Sequence, residues 1–476
     1  MSAKMDPTLF GLLQLGALVQ SSITKYLEYH EVKEGSLPAK PGFDAQRTLL
    51  AAAGGLTELT SDPSSRLLEV AMQYYEARAL HLVADLRVAD ILKEGGESGV
   101  SLETLASKCG IEPRKFGRIM RCLCSIHIFK EVAPDYYANN RISEALVDNE
   151  PLRSYILMFG LDLYSASDYL PRTLTDPVKG PSYKVDCTPW QDAVNTKKPR
   201  WEWLEENPKV EHIKSGLNGT DGAPSAYPGP FGNVLKTSIE GKSTGQEIRR
   251  PEHKIFGLAM LGGGKVFGQA HLYDFPWASL GKATVVDVGG GVGGFCLQLS
   301  HIYPELNFVV QDRAPVLKQA ESEVWPQENR SALDAGRVKF VPHSFFDVNP
   351  TKGADVYWLR YIIHDWSDDY CVQILSAIKP SMGPRSRILI CDQVMNTTLG
   401  CEELPPAPSP LPANWGYYTR YSHQRDLAMM AIINGIERKP VEFRALAEAA
   451  GLKLRNLYDC RSQVGLVELV LPDSTL

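Results

Sequence analysis

Between Val285 and Gly294 the chain reads Val-Val-Asp-Val-Gly-Gly-Gly-Val-Gly-Gly, a strand-like run leading straight into five glycines. A helical pattern of Phe295, Cys296, Leu297, Leu299 and Ile302 follows at once, which predicts strand, tight turn and helix in succession. Such a corner suits a nucleoside-type ligand. Glycine allows backbone angles closed to other residues and lets a ligand approach the main chain without meeting a β-carbon. The free N–H groups at the helix start then face an anionic group. Gly289, Gly291 and Gly294 fit the G-x-G-x-x-G pattern of dinucleotide sites, whereas Asp287, Gly289, Gly291 and Gly293 fit the acidic-x-G-x-G-x-G pattern of S-adenosylmethionine (SAM) sites. The glycines do not choose between them. Either ligand calls for an acid at the end of the next strand to take the ribose hydroxyls, and Asn307-Phe-Val-Val-Gln311 followed by Asp312 supplies one.

Short apolar strands at Thr284–Val288, Phe308–Gln311, Val338–Val341, Val356–Leu359 and Ile388–Cys391, mostly separated by helical patterns, predict an α/β fold with a Rossmann-like, doubly wound parallel sheet. Ahead of it, Tyr74 to Ile91 reads as a long amphipathic helix, Ser101 caps a helix running to Lys108, Pro113 opens another to Ser125, and Ile126–Ile142 alternates like a hairpin. Helix, helix, hairpin is a winged-helix pattern. Its basic residues Arg114, Lys115, Arg118 and Arg121 would serve a DNA-binding protein, but a net charge of −6 gives no pull toward nucleic acid or anionic membranes. They read instead as a solvated face on a dimerisation or substrate-covering domain. Nine cysteines without a C-x-x-C pair indicate reduced thiols and a cytoplasmic protein. Pro7–Ile23 is apolar but interrupted by Gln14 and Gln20, too short to span a bilayer and without a basic leader. Its stripe of Leu9, Leu12, Leu13, Leu15, Leu18 and Val19 needs a partner, either another domain or another subunit. The expected organisation is a helical arm (1–64), an all-α winged-helix-like dimerisation domain (65–150), a helical connecting region that covers the acceptor (151–280, with a surface loop at Gly216–Gly232) and the Rossmann-like domain (281–476).

Ligands of such sheets sit at the carboxyl ends of the strands, and there the fourth strand runs into Leu359-Arg-Tyr-Ile-Ile-His-Asp-Trp-Ser-Asp-Asp369. A histidine in that place is a natural base, because its ordinary pKa near ~6.5 lets it take and release a proton at neutral pH. Asp287-Val-Gly-Gly-Gly-Val-Gly-Gly294, Gln311-Asp312, His364-Asp-Trp-Ser-Asp-Asp369 and Ile436-Glu-Arg438, in this order, resemble the metal-independent, SAM-dependent small-molecule O-methyltransferases of the caffeate/hydroxyneurosporene type, in their fungal form.

That resemblance favours SAM over a dinucleotide and implies a homodimer acting on a small aromatic acceptor, with no metal. It places the general base on His364 and the two acids that orient it on Asp392 and Glu437. Beyond Asp287, Gly289, Gly291 and Asp312, it assigns Arg360, Ser344 and Phe345 to the cofactor, with Phe345 along the adenine. Ser344 stands where the family usually carries Asp, an uncharged acceptor replacing a charged one, so weaker adenine recognition is expected. The acceptor pocket falls on Met260, Trp366, Met429, Met430 and Asn434. A proline-rich insertion, Leu404-Pro-Pro-Ala-Pro-Ser-Pro-Leu-Pro412, followed by Trp415, Tyr417, Tyr418 and Tyr421, is expected to cover the acceptor. The alternative is a non-methylating isomerase or pericyclase that keeps SAM on the same scaffold.

Overall fold

The Ser101 hydroxyl accepts from the Thr104 amide at 3.2 Å and starts the helix Leu102–Cys109, as its position in the sequence predicts. This is one detail of a computed structural model that describes residues 7–29, 37–213, 232–267 and 269–476. The four expected segments gather into two units: residues 61–266 with 431–433, and residues 1–60 with 267–430 and 434–476. In the first unit, β1 (Val100–Ser101), β2 (Phe129–Ala133) and β3 (Tyr136–Asn139) form a small sheet in the order β1-β3-β2. The helix Pro113–Ser125 buries Phe116, Met120 and Leu123 in a cluster with Leu102, Leu105, Val83 and Tyr137. Arg114, Lys115, Arg118 and Arg121 are exposed, the solvated face expected of them. The single helix expected over Tyr74–Ile91 is two, Tyr74–Asp85 and Val88–Lys93, because Arg87 turns into the left-handed region at φ 54° and no helix continues through that conformation. The loop expected at Gly216–Gly232 lies outside the described residues except Gly232, which opens the helix Gly232–Ile239.

In the second unit a seven-stranded sheet has the order β6-β5-β4-β7-β8-β10-β9, from β4 (Thr284–Val288), β5 (Asn307–Asp312), β6 (Val338–Pro342), β7 (Val356–Arg360), β8 (Arg387–Asp392), β9 (Lys453–Tyr458) and β10 (Gly465–Val470). Both faces are covered, as near-continuous apolar strands require. Val285, Val356, Trp358, Leu389 and Cys391 point into one core; Val286, Val288, Tyr357, Leu359, Ile388 and Ile390 point into the other. The five strands expected from the sequence are parallel. β10 and β9 add an antiparallel edge, and the fully buried Glu468 of β10 is neutralised there by Arg387 at 3.0 Å and Arg455 at 2.9 Å. β4 pairs with β5 on one side and β7 on the other, so the chain order reverses across it. Ligands bind at such a switch point, and the turns after β4 and β7 meet there.

Part of the apolar stripe of the first helix, Pro7–Glu28, namely Leu15, Leu18 and Val19, is covered by the helix Lys40–Thr60 and by the insertion of the same chain, while Leu9 and Leu13 stay exposed. Leu15, Ala51 and Ala52 bury with Ala407 and Leu411, the Arg47 guanidinium lies 3.8 Å from the Trp415 ring, and Phe43 meets Tyr418 edge-on. The buried side chains of the insertion therefore face the arm, which periodicity could not foresee because an apolar stripe does not name what covers it. A β-carbon at Gly54 would lie 2.3 Å from that of Tyr417. Gly54→Val is thus expected to cost about 1–3 kcal/mol, read as a lower denaturation midpoint; an unchanged midpoint would refute this packing.

Candidate active site

The turn after β4 is built on glycines for two separate reasons. Gly289 takes φ 71°, and a β-carbon on it would come within 2.7 Å of Ile362 and 3.4 Å of Phe345. Gly290 rests on the Asp287 carboxyl, 2.4 Å from where its own β-carbon would stand. Beyond them, a β-carbon at Gly291 or Gly294 would meet nothing within 4 Å. The cradle is therefore backbone below and open space above. Asp312 holds it from the side, its two oxygens accepting from the Gly291 amide at 2.8 Å and the Arg313 amide at 2.7 Å. Asp287 lies buried beneath and accepts from the Cys296 thiol at 3.4 Å; burial pushes its carboxyl up to about 6, against the lowering effect of Arg360. Phe345 extends from the end of β6 over this turn, and the Ser344 hydroxyl accepts weakly from the Phe346 amide at 3.4 Å.

After β7 the backbone makes an abrupt turn. Tyr361 takes φ 55°, a conformation unfavourable for a bulky residue, and is held there by its amide donating to Asp392 Oδ1 at 3.0 Å. Asp392 Oδ2 takes the His364 amide at 3.1 Å. Asp392 thus anchors the backbone of this turn, a correction to its expected place on the imidazole: leaving β8 directly opposite the turn, it meets main-chain N–H groups first. The ring itself is only 4 % exposed. Its Nδ1 lies 2.8 Å from Glu437 Oε1 and its Nε2 3.2 Å from Asp365 Oδ1. Burial pulls the imidazolium's pKa down, but Glu437 and Asp365 outweigh it and hold the value up at about 9. Burial likewise pushes the Glu437 carboxyl up, and His364 and Arg425 more than reverse the effect.

Two contacts lock this turn to the segment after the helix Arg420–Ile433. The Ile436 amide donates to the His364 carbonyl at 2.9 Å, and a β-carbon at Gly435 would lie 2.4 Å from that oxygen. Arg438, 1 % exposed, donates to the carbonyls of Ile363 at 2.9 Å and Trp366 at 2.8 Å and to Asp368 at 2.7 Å. Met429 flanks Gly435, and Met430 and Asn434 lie nearby in sequence, Asn434 closing the helix at φ 54°. Trp366, expected at the acceptor, lies in an aromatic cluster. Its ring packs with Phe346 at 5.0 Å, Tyr370 at 5.3 Å and Phe345 at 6.0 Å. Met260 belongs to the other unit and is 44 % exposed. Sequence reasoning missed Asp365, Ile362, Tyr361 and Arg425. Only Asp365 carried a signal, its place beside the histidine.

A glycine cradle open to a nucleoside-type ligand, beside a buried histidine held by two carboxylates, fits a Rossmann-like enzyme domain. The O-methyltransferase domain model matches residues 251–453 and the O-methyltransferase dimerisation domain model residues 68–149. The O-methyltransferase tpcA of Aspergillus fumigatus is 56 % identical over 462 residues, 96 % of this chain and 94 % of that one. The chain belongs to the O-methyltransferase family. Among solved structures, CalO1, a methyltransferase in calicheamicin biosynthesis in its SAH-bound form, is 25 % identical and covers 86 % of this chain and 99 % of its own with a TM-score of 0.58. A pericyclic reaction enzyme covers 97 % of this chain and 100 % of its own with a TM-score of 0.64, at 21 % identity, and shares the fold.

Proposed function

We propose that this protein transfers a methyl group from SAM to a phenolic hydroxyl of a small aromatic metabolite, with His364 as the general base. The observation that carries this reading is the buried His364–Glu437 pair at the carboxyl end of β7, one strand from the glycine cradle. The relatives' names favour methyl transfer over the pericyclase reading, whose structural neighbour shares no more than the fold. The cradle fits the cofactor: Gly289, Gly291 and Phe345 would line it, with Asp312 toward the ribose, Arg360 and Asp287 below, and Ser344 an uncharged acceptor for the adenine. Bound there, SAM would supply the methyl group that is transferred.

The rest falls to the chain's own residues. A phenol titrates near ~10, so at neutral pH a base must withdraw its proton as the oxygen attacks. Glu437 fixes the ring through Nδ1, which leaves Nε2 for the acceptor once Asp365 turns aside. Met429, Met430 and Asn434 are proposed to line the acceptor, and alignment of its oxygen with the reacting methyl carries much of the rate. The dimerisation domain, with Leu67, Leu68, Val70 and Met72 exposed on one short helix, supports a homodimer. A cytoplasmic location is proposed on the cysteine usage, nine cysteines without a C-x-x-C pair; no helix among the described residues is long and apolar enough to cross a membrane. Mass-spectrometric turnover with SAM and a panel of phenols tests the function, and SAM binding without S-adenosylhomocysteine from any phenol would count against it.

The pH dependence has a definite sign. With its pKa at about 9, the ring is cationic at pH 7, and the neutral form that accepts a proton grows as pH rises. The rate constant kcat/KM should therefore climb through the alkaline range. Glu437→Gln removes a charge that raises this pKa, so the acid limb should move to lower pH while the plateau falls. A limb that stays in place would contradict the pairing.

A further inference from the structure

Glu437 Oε1 has two close partners. One is His364 Nδ1; the other is Arg425 Nε, 3.3 Å away on the helix Arg420–Ile433. The arginine side chain is 10 % exposed and the glutamate side chain not at all, so screening by water is weak. The guanidinium carbon lies 4.5 Å from the Tyr361 ring, and that ring stands 5.5 Å from the imidazole of His364. Arg425 is thus gripped by the same strained turn that carries the base. The charged groups around His364 come from four elements: Asp365 from its own turn, Asp392 from β8, Glu437 from the segment after the helix, and Arg425 from the helix itself. Asp426 of that helix accepts the Glu437 amide at 2.9 Å. Two carboxylates on the ring nitrogens, Glu437 and Asp365, favour the cation, and the Arg425 guanidinium is the opposing charge.

We propose that Arg425 is a positioning residue for the methyl transfer, holding the Glu437 carboxylate on His364 Nδ1 and opposing protonation of the ring. This rests on His364 being the base. Arg425 acts through Glu437, by an ion pair that holds the carboxylate in place, and through space, by a positive charge that makes a second one on the imidazole less favourable. The first effect fixes the ring in one orientation and the second favours its neutral form. Neither needs contact with the acceptor.

The test is an NMR titration of ring-labelled histidine in the full-length protein, with the His364 resonance assigned by its loss in His364→Gln, comparing wild type, Arg425→Gln and Arg425→Lys. The His364 pKa should rise by ~0.5–1 pH unit in Arg425→Gln and return toward the wild-type value in Arg425→Lys. The acid limb of kcat/KM should move in parallel. An unchanged His364 pKa in Arg425→Gln would overturn the proposal, as would a pKa equally raised in both variants, which points to a loosened turn and not to charge. Because the titration reads the ring without turnover, a protein that shows the shift yet methylates no phenol fails the proposed reaction and keeps the Arg425–His364 coupling. Should Arg425→Gln not fold, Arg425→Lys decides alone: a His364 pKa more than one unit above the wild-type value overturns the proposal.

Discussion

His364→Gln is expected to lower kcat/KM for methyl transfer by about 10²–10⁴-fold, the usual contribution of a positioned general base, while SAM affinity stays close to that of the wild type. Glutamine is a better replacement than alanine because its amide can still donate to Glu437 Oε1, which lies 2.8 Å from the imidazole. Alanine would leave Glu437 buried and without that donor, adding a folding cost to the kinetic one. The cofactor cradle lies on the neighbouring strand turn and does not use the imidazole, so binding and chemistry should separate. Isothermal calorimetry with SAM beside a product assay by mass spectrometry makes the measurement. Product formation at an undiminished rate would remove His364 from the reaction, and a matching loss of SAM binding would show that the substitution had damaged the cradle.

The second large effect is expected at Arg438. Its guanidinium is almost fully buried and satisfies the Ile363 and Trp366 carbonyls on either side of His364, as well as Asp368. Arg438→Met keeps much of the packing volume but leaves two carbonyls without a charged donor. Hydrogen bonds to charged groups contribute about 1.5–3 kcal/mol each and do not simply add, so a loss of about 2–4 kcal/mol is expected. Asp368 adds little, since its side chain is 67 % exposed and such pairs are worth at most about 1 kcal/mol. Chemical denaturation measures the loss. Activity should fall as well, because the turn that aims the imidazole loses its tie. A variant as stable as the wild type would show that the carbonyls find other donors.

The sequence alone determined whatever depends on neighbours in the chain. The glycine corner was legible because a left-handed backbone angle and the absence of a β-carbon are local demands, and Gly289 and Gly290 each meet one. The five parallel strands were legible because burial on both faces leaves an unbroken apolar run. His364 was marked by its place at the end of such a strand, and the Ser101 cap by its place before a helix. Tertiary structure decided what depends on residues far apart meeting. Glu437 reaches His364 across 73 positions, and Asp392 could be read as an acid after β8 but not as a ligand of the Tyr361 and His364 amides, because its partners depend on how two turns dock. The fold gathers Phe345, Phe346 and Tyr370 around the Trp366 ring, a cluster that no local pattern announces. The insertion packed on the arm, since an apolar stripe specifies that it must be covered and not by what. Arg425 had no pattern to reveal it; on a helix it is one more cation, and only the fold sets it against Glu437, where low exposure makes its charge felt.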